Sequence, residues 1–165
     1  MSGKVRGLVA GLLLASAAAP VTAAQGAGEV VSAAQPAGLV LALMNAGYDA
    51  ELTRDSTGDP MIRVTTEGYP INMIFFGCSP ETHDGCDSLQ FVTGLDRPDA
   101  WSAGAALKIT REYRFIAVQL DNDGDPFFTW DVVTGRSGIP AAVFIDSVAR
   151  FENAVSLAAE MVFAK

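Results

Sequence analysis

The chain has 165 residues, half of them hydrophobic, and a formal charge of −8. That length and apolar content suffice for one compact core. The acidic balance repels phosphate backbones and anionic lipid surfaces, so nucleic acid is not an expected partner.

Lys4 and Arg6 precede an apolar run from Leu8 to Ala19, followed by Pro20 and the small residues Val21-Thr22-Ala23-Ala24. This is the three-part layout of a secretory signal peptide over residues 1–24, with cleavage expected after Ala23 or Ala24. The apolar run is about 12 residues, well short of the roughly 20 that a spanning helix needs, so no stable membrane span is expected after cleavage. The mature protein is then periplasmic or secreted. In such a compartment Cys78 and Cys86, the only cysteines, are expected to form a disulfide that acts as a structural staple. Their spacing is not that of a Cys-x-x-Cys redox site.

Residues 25–34 are small and polar without a usable period and read as a flexible lead to a single domain over 35–164. Pro36 opens a helix and Gly47 ends it. Leu39, Val40, Leu41, Leu43 and Met44 leave that helix little polar face, which is the sequence's hint of a homodimer. Tyr48 to Thr53 and Met61 to Thr65 alternate like strands around the turn Asp55-Ser56-Thr57-Gly58-Asp59-Pro60.

The chain is organised around Tyr69 to Phe91, where Ile71 to Phe76 and Leu89 to Leu95 are strand-like runs flanking the cysteine loop. Ile71, Met73 and Phe75 share one face, with Ile74 and Phe76 on the other. The pattern predicts a central strand covered at least in part on both sides. Asp96 and Pro98 predict a helix running through Trp101 and Leu107 towards Arg111. Tyr113 to Leu120 and Phe127 to Val132 form a second hairpin about Asp121-Asn122-Asp123-Gly124-Asp125-Pro126, an echo of the first turn. Pro140 opens the last helix, where Phe144, Val148, Phe151, Val155, Ala158 and Val162 recur at steps of three and four. The order α-β-β-β-β-α-β-β-α predicts an α+β fold, an antiparallel sheet with flanking helices.

The segments AGYDAELTRDSTGDPMIR (46–63), FFGC (75–78), SLQF (88–91) and RFIAVQLDNDGDPFF (114–128) together resemble exported members of the YbjN-domain family of sensory transduction regulators. The likeness spans nearly all of the mature chain. It implies a fold similar to the type III secretion chaperones, which dimerise and hold partner polypeptide, and it carries no catalytic residues over. One departure is that Leu107-Lys108-Ile109-Thr110 stands where the family pattern has a Trp-Asn pair. Another is that a signal peptide is incompatible with a cytosolic secretion chaperone, so the chaperone likeness concerns shape more than task.

Candidate chemistry is sparse. Asp121, Asp123 and Asp125 are the candidate metal ligands, yet Pro126 stands where a calcium loop needs glycine and Val132 where it needs a bidentate Glu. A tight turn accounts for them more simply. A Ser-His-Asp hydrolase would have to use His83, the sole histidine, with Ser79 or Ser88 as nucleophile, but no Gly-x-Ser-x-Gly elbow is present. A metal site from His83 and Asp84 has little more support, since paired cysteines cannot ligate. No nucleotide-binding loop appears and no cofactor is expected. Phe75, Phe76, Phe127, Phe128 and Trp130 are expected in the core, with a groove for an apolar ligand or peptide as the alternative. The expected function is noncatalytic binding of a protein or peptide partner. The alternative is a small-molecule sensor or enzyme with a pocket near the disulfide loop. Mass spectrometry of the native protein is expected to find a chain beginning after Ala23 or Ala24 with its two sulfurs joined. Free thiols or an attached leader would remove the case for export.

Overall fold

The computed structural model describes residues 29–164. The elements are β1 (Val30–Val31), α1 (Pro36–Asn45), β2 (Asp49–Arg54), β3 (Pro60–Thr65), β4 (Ile71–Phe76) and β5 (Ser88–Gly94), then α2 (Ala103–Glu112), β6 (Ala117–Leu120), β7 (Pro126–Val133), β8 (Ile139–Pro140) and α3 (Ala141–Val162). Six strands form one antiparallel sheet in the order β2-β3-β4-β5-β7-β6, and β1 pairs with β8 in a separate two-stranded ribbon. The architecture is the α+β arrangement that the order of helices and strands predicted.

Period-two patterning decides which face is inside. Ile71, Met73 and Phe75 of β4 are buried, as are Leu89, Phe91 and Thr93 of β5. Register sets Met73 beside Phe91 and Phe91 beside Trp130, so a row of large side chains crosses the sheet on one face. Helix α3 lies over that row. Its Phe144, Val148, Phe151, Val155, Ala158 and Val162 are all buried, while Asp146, Arg150, Asn153 and Glu160 face outwards. The ring of Phe91 lies 6.1 Å from that of Phe144, 5.6 Å from Phe151 and 6.2 Å from Trp130. Contacts of this kind add to the area buried.

Helix α1 ends as its glycine predicted. Gly47 has φ 93°, its N–H donates to the Met44 carbonyl, and the N–H of Tyr48 donates to that of Leu43. These two bonds make a Schellman close.

Three expectations need correction. The lead is not free over its whole length, for Val31 and Ala33 are buried and the Ala33 N–H donates to Thr134 Oγ1 at 2.9 Å. The ribbon depends on Gly138 at φ 80°, where a Cβ would stand 2.5 Å from Val30 Cγ1 and 2.6 Å from the Val31 carbonyl oxygen. Residues 25–28 of the lead and the signal-peptide assignment over 1–24 lie outside the described residues.

Helix α2 begins at Ala103, later than expected, because Ser102 caps it by accepting from the Ala105 N–H. Asp96, Pro98 and Trp101 precede the helix, in a segment held by bonds from the Arg97 N–H to Asp125 Oδ1 and from the Trp101 N–H to the Gly124 carbonyl.

Strand β6 starts at Ala117 rather than Tyr113. Phe115 sits at φ 64° with its ring 4.7 Å from Trp130, and that conformation cannot continue a strand. The partial cover expected on the second face of β4 is uneven: Ile74 is half-buried and Phe76 is 45% exposed.

No helix among the described residues is long and apolar enough to cross a membrane. Replacing Phe91 by Ala is expected to lower stability by about 3–5 kcal/mol, the range for truncating a fully buried aromatic, as measured by urea unfolding.

The disulfide loop and the cavity beside the edge strand as a candidate functional site

Between β4 and β5 the chain leaves the sheet and returns within eleven residues, 77–87. Gly77 at φ 67° and Gly85 at φ 63° supply the left-handed steps that let it turn back. Cys78 and Cys86 are joined, with Cα atoms 3.8 Å apart, closer than the roughly 6 Å usual for a disulfide. Inside the loop the Ser79 N–H donates to the Asp84 carbonyl and the His83 N–H to the Ser79 carbonyl, both at 2.8 Å. At its root the Asp87 carbonyl accepts from the N–H groups of Thr134 and Gly135 and from the Thr134 hydroxyl. That same hydroxyl oxygen accepts the Ala33 N–H, so the loop is anchored to the segment leading into α1.

The tip of the loop reaches the β2–β3 turn, where His83 Nδ1 lies 2.7 Å from Asp59 Oδ1. The turn itself is built by Asp55. Its Oδ1 accepts from the N–H groups of Thr57 and Asp59 and from the Thr57 hydroxyl, and Gly58 occupies the left-handed position at φ 97°. The hydrogen bond from Thr57, reinforced by the neighbouring backbone N–H groups, holds the Asp55 carboxyl below the ordinary carboxylate range.

The sequence echo is one turn used twice. In both copies the first Asp donates its N–H to the carbonyl of the last and accepts the glycine N–H, Asp55 with Asp59 and Gly58, and Asp121 with Asp125 and Gly124. In both, the last Asp then grips another segment, Asp59 taking His83 and Asp125 taking the Arg97 N–H. The strand register puts the two turns at opposite ends of the sheet, so their carboxylates cannot converge on one ion. Among the described residues no cluster of three His, Cys, Asp or Glu side chains suits a metal. Oδ1 of Asp121 is taken up by the N–H groups of Asp123 and Asp125.

A cavity of about 700 Å³ opens between the loop, the turn and the start of α1, bounded by Pro36, Leu52, Arg54, Pro60, His83 and Asp84 among others. Its size falls in the range of small-ligand and anchor-residue pockets. The serines proposed as nucleophiles are engaged elsewhere: Ser79 Oγ donates to Glu81 and Ser88 Oγ to Asp87. Asp84 Oδ1 accepts from Thr82. Of the candidate aromatics, Phe75 and Phe128 are core, and Trp130 is half-buried against Phe91 and Phe115. Phe76 and Phe127 alternate onto the other face of the sheet.

A family model described as "Putative bacterial sensory transduction regulator", YbjN, matches residues 36–164. The chain belongs to the YbjN family. Among solved structures this YbjN protein is similar to the Yersinia pestis type III secretion chaperone SycH, crystallised in complex with a stable fragment of YscM2. That similarity has 15% identity and a TM-score of 0.46 over 72% of this chain and 95% of that one. No curated protein matches the chain. The YbjN match takes in all three helices, the six-stranded sheet, the disulfide loop and every wall of the cavity.

Sequence reasoning had singled out His83 but not its partner, since Asp59 lies 24 residues away in what reads only as a turn. It also passed over Leu52, whose place at a cavity wall depends on β2 being the outermost strand. Because Asp55 is acidified in the fold, its contribution to stability is present above the unfolded carboxylate value and disappears as pH falls through the lower folded one. Asp55→Asn is therefore expected to destabilise by less than about 1 kcal/mol near neutrality. The gap to the natural protein should close below roughly pH 4 in urea titrations.

Proposed function

We propose that this YbjN protein works outside the cytoplasm as a noncatalytic regulator that holds a protein or peptide partner, and that it self-associates through its first or last helix. The observation that carries the reading is the outer surface of α1. The helix has no charged residue, and its Leu41 and Met44 are 52% and 58% exposed. Apolar surface of that kind on a helix is stabilised by being covered. Helix α3 adds Val143 and Leu157, and Phe163 follows its last turn, all three exposed. The proposed export rests on the basic, apolar and small-residue order of residues 1–24 and is consistent with the joined cysteines. The SycH chaperone was crystallised with a bound fragment, and partner holding is the corresponding role proposed for this chain.

A second reading is favoured by the cavity, three of whose lining residues, Thr82, His83 and Asp84, belong to the disulfide loop. It makes the protein a small-molecule sensor or an enzyme. Scattering on the mature protein is expected to give a dimer mass, and cross-linking in the native envelope is expected to trap a defined polypeptide. A monomer that retains no partner would overturn the first reading. A small molecule that raises the melting temperature of the natural protein but not of a folded Cys86→Ser variant would favour the second.

A further inference from the structure

Strand β2 ends the main sheet, and no strand among the described residues pairs with its outer edge. The turn sets the phase of its hydrogen bonds, because the Asp55 N–H donates to the Asp59 carbonyl and partners alternate from there along an antiparallel pair. With Thr53 opposite Met61 and Glu51 opposite Arg63, residues 49, 51 and 53 turn their backbone groups to β3. Ala50, Leu52 and Arg54 turn theirs outwards. The same three residues point their side chains to the helix-covered face, where Leu52, 45% exposed, and Arg54 wall the cavity. A strand added to this edge would place the side chain opposite Leu52 at the cavity mouth and its neighbours on the opposite face, beside Asp49 and Glu51.

Charge decides what that strand is. Asp49 and Glu51 are exposed, Asp84 is exposed at the cavity and Asp55 stands at the strand's end. Of the nearby cations, Arg54 donates to the Gly58 carbonyl, and Arg63 opposite Glu51 forms no salt bridge with it. A second copy is a poor occupant. Antiparallel self-pairing that keeps the faces aligned sets Asp49 against Glu51 if centred on Ala50, Glu51 against itself if centred on Glu51, Asp49 against Asp55 if centred on Leu52, and Glu51 against Asp55 if centred on Thr53. Like charges directly opposed destabilise a sheet pair. We infer that the outer edge of β2 binds an extended polypeptide segment that alternates basic with apolar residues, the apolar side chains entering the cavity and the basic ones meeting Asp49 and Glu51. This rests on the partner-binding reading and gives that partner its chemistry.

The test uses two nine-residue synthetic peptides, one alternating Lys with Val and one alternating Glu with Val, added to the mature protein. Binding of the Lys peptide is expected to weaken as salt screens the charges. At saturation it should slow hydrogen exchange at the amides of Ala50, Leu52 and Arg54 by about tenfold or more, as for any newly bonded strand edge. The Glu peptide should do neither. Leu52→Pro removes one outward donor at a place where an edge strand tolerates proline and should abolish binding, whereas Leu52→Val should keep it. The double variant Asp49→Lys, Glu51→Lys should reverse the preference between the peptides, which tests the inference independently should the proline variant fail to fold. The inference is overturned if neither peptide binds, if both bind alike, if the three amides exchange unchanged, or if folded Leu52→Pro binds as well as the natural protein. A native polypeptide cross-linked equally by the natural protein and by Leu52→Pro would also overturn it while leaving the partner-binding reading intact.

Discussion

The burial of Phe91 beneath α3 is the contact on which the rest of the fold depends. The six strands of the main sheet form a four-stranded meander, β2 to β5, and a hairpin, β6 and β7, each specified by short-range turn chemistry, but neither makes a core alone. The row Met73, Phe91 and Trp130 becomes an interior only because a helix some fifty residues further along lays Phe144 and Phe151 over it. Once α3 occupies the middle of the sheet, α1 is left at the β2 edge. The cavity forms at that margin, where the packing gives way to loops.

Two copies of one turn illustrate how little sequence is needed to join distant segments. Each turn consumes its first Asp in its own closure and leaves its last Asp free to reach outwards. At one end of the sheet that carboxylate holds the disulfide loop through His83, and at the other it holds the strand-to-helix connection through the Arg97 N–H. The disulfide limits where the loop can go, and His83 selects one place within that range. The covalent bond and the hydrogen bond therefore play different parts in shaping the cavity wall.

The same region collects the features that bear on function. An uncharged helix with exposed Leu41 and Met44, an outermost strand and a cavity are neighbours, and none of them is built around a reactive group. Ser79 and Ser88 spend their hydroxyls on nearby carboxylates. In the binding role we propose, apolar surface supplies adhesion, the backbone edge supplies direction, and the acidic side chains discriminate among partners.

Most of the elements were legible because their signals are local. Pro36 and Gly47 bounded a helix, alternation marked β2 to β5, and the spacing of Phe144 to Val162 drew the buried stripe of α3. The failures share a cause as well. The capping of α2 by Ser102 wins over Asp96 because Asp125, 28 residues away, ties down the Arg97 N–H, and Val30–Val31 forms a strand only because Ile139–Pro140 is there to receive it. What the sequence determined by itself was the kind of each helix and of the main-sheet strands, their inward faces and the cysteines available to pair, since these depend on neighbours within a few residues. Which strand is outermost, which aspartate meets His83 and where a cavity opens were decided only by the tertiary structure. Those outcomes depend on pairings between segments far apart in the chain, and no local periodicity records them.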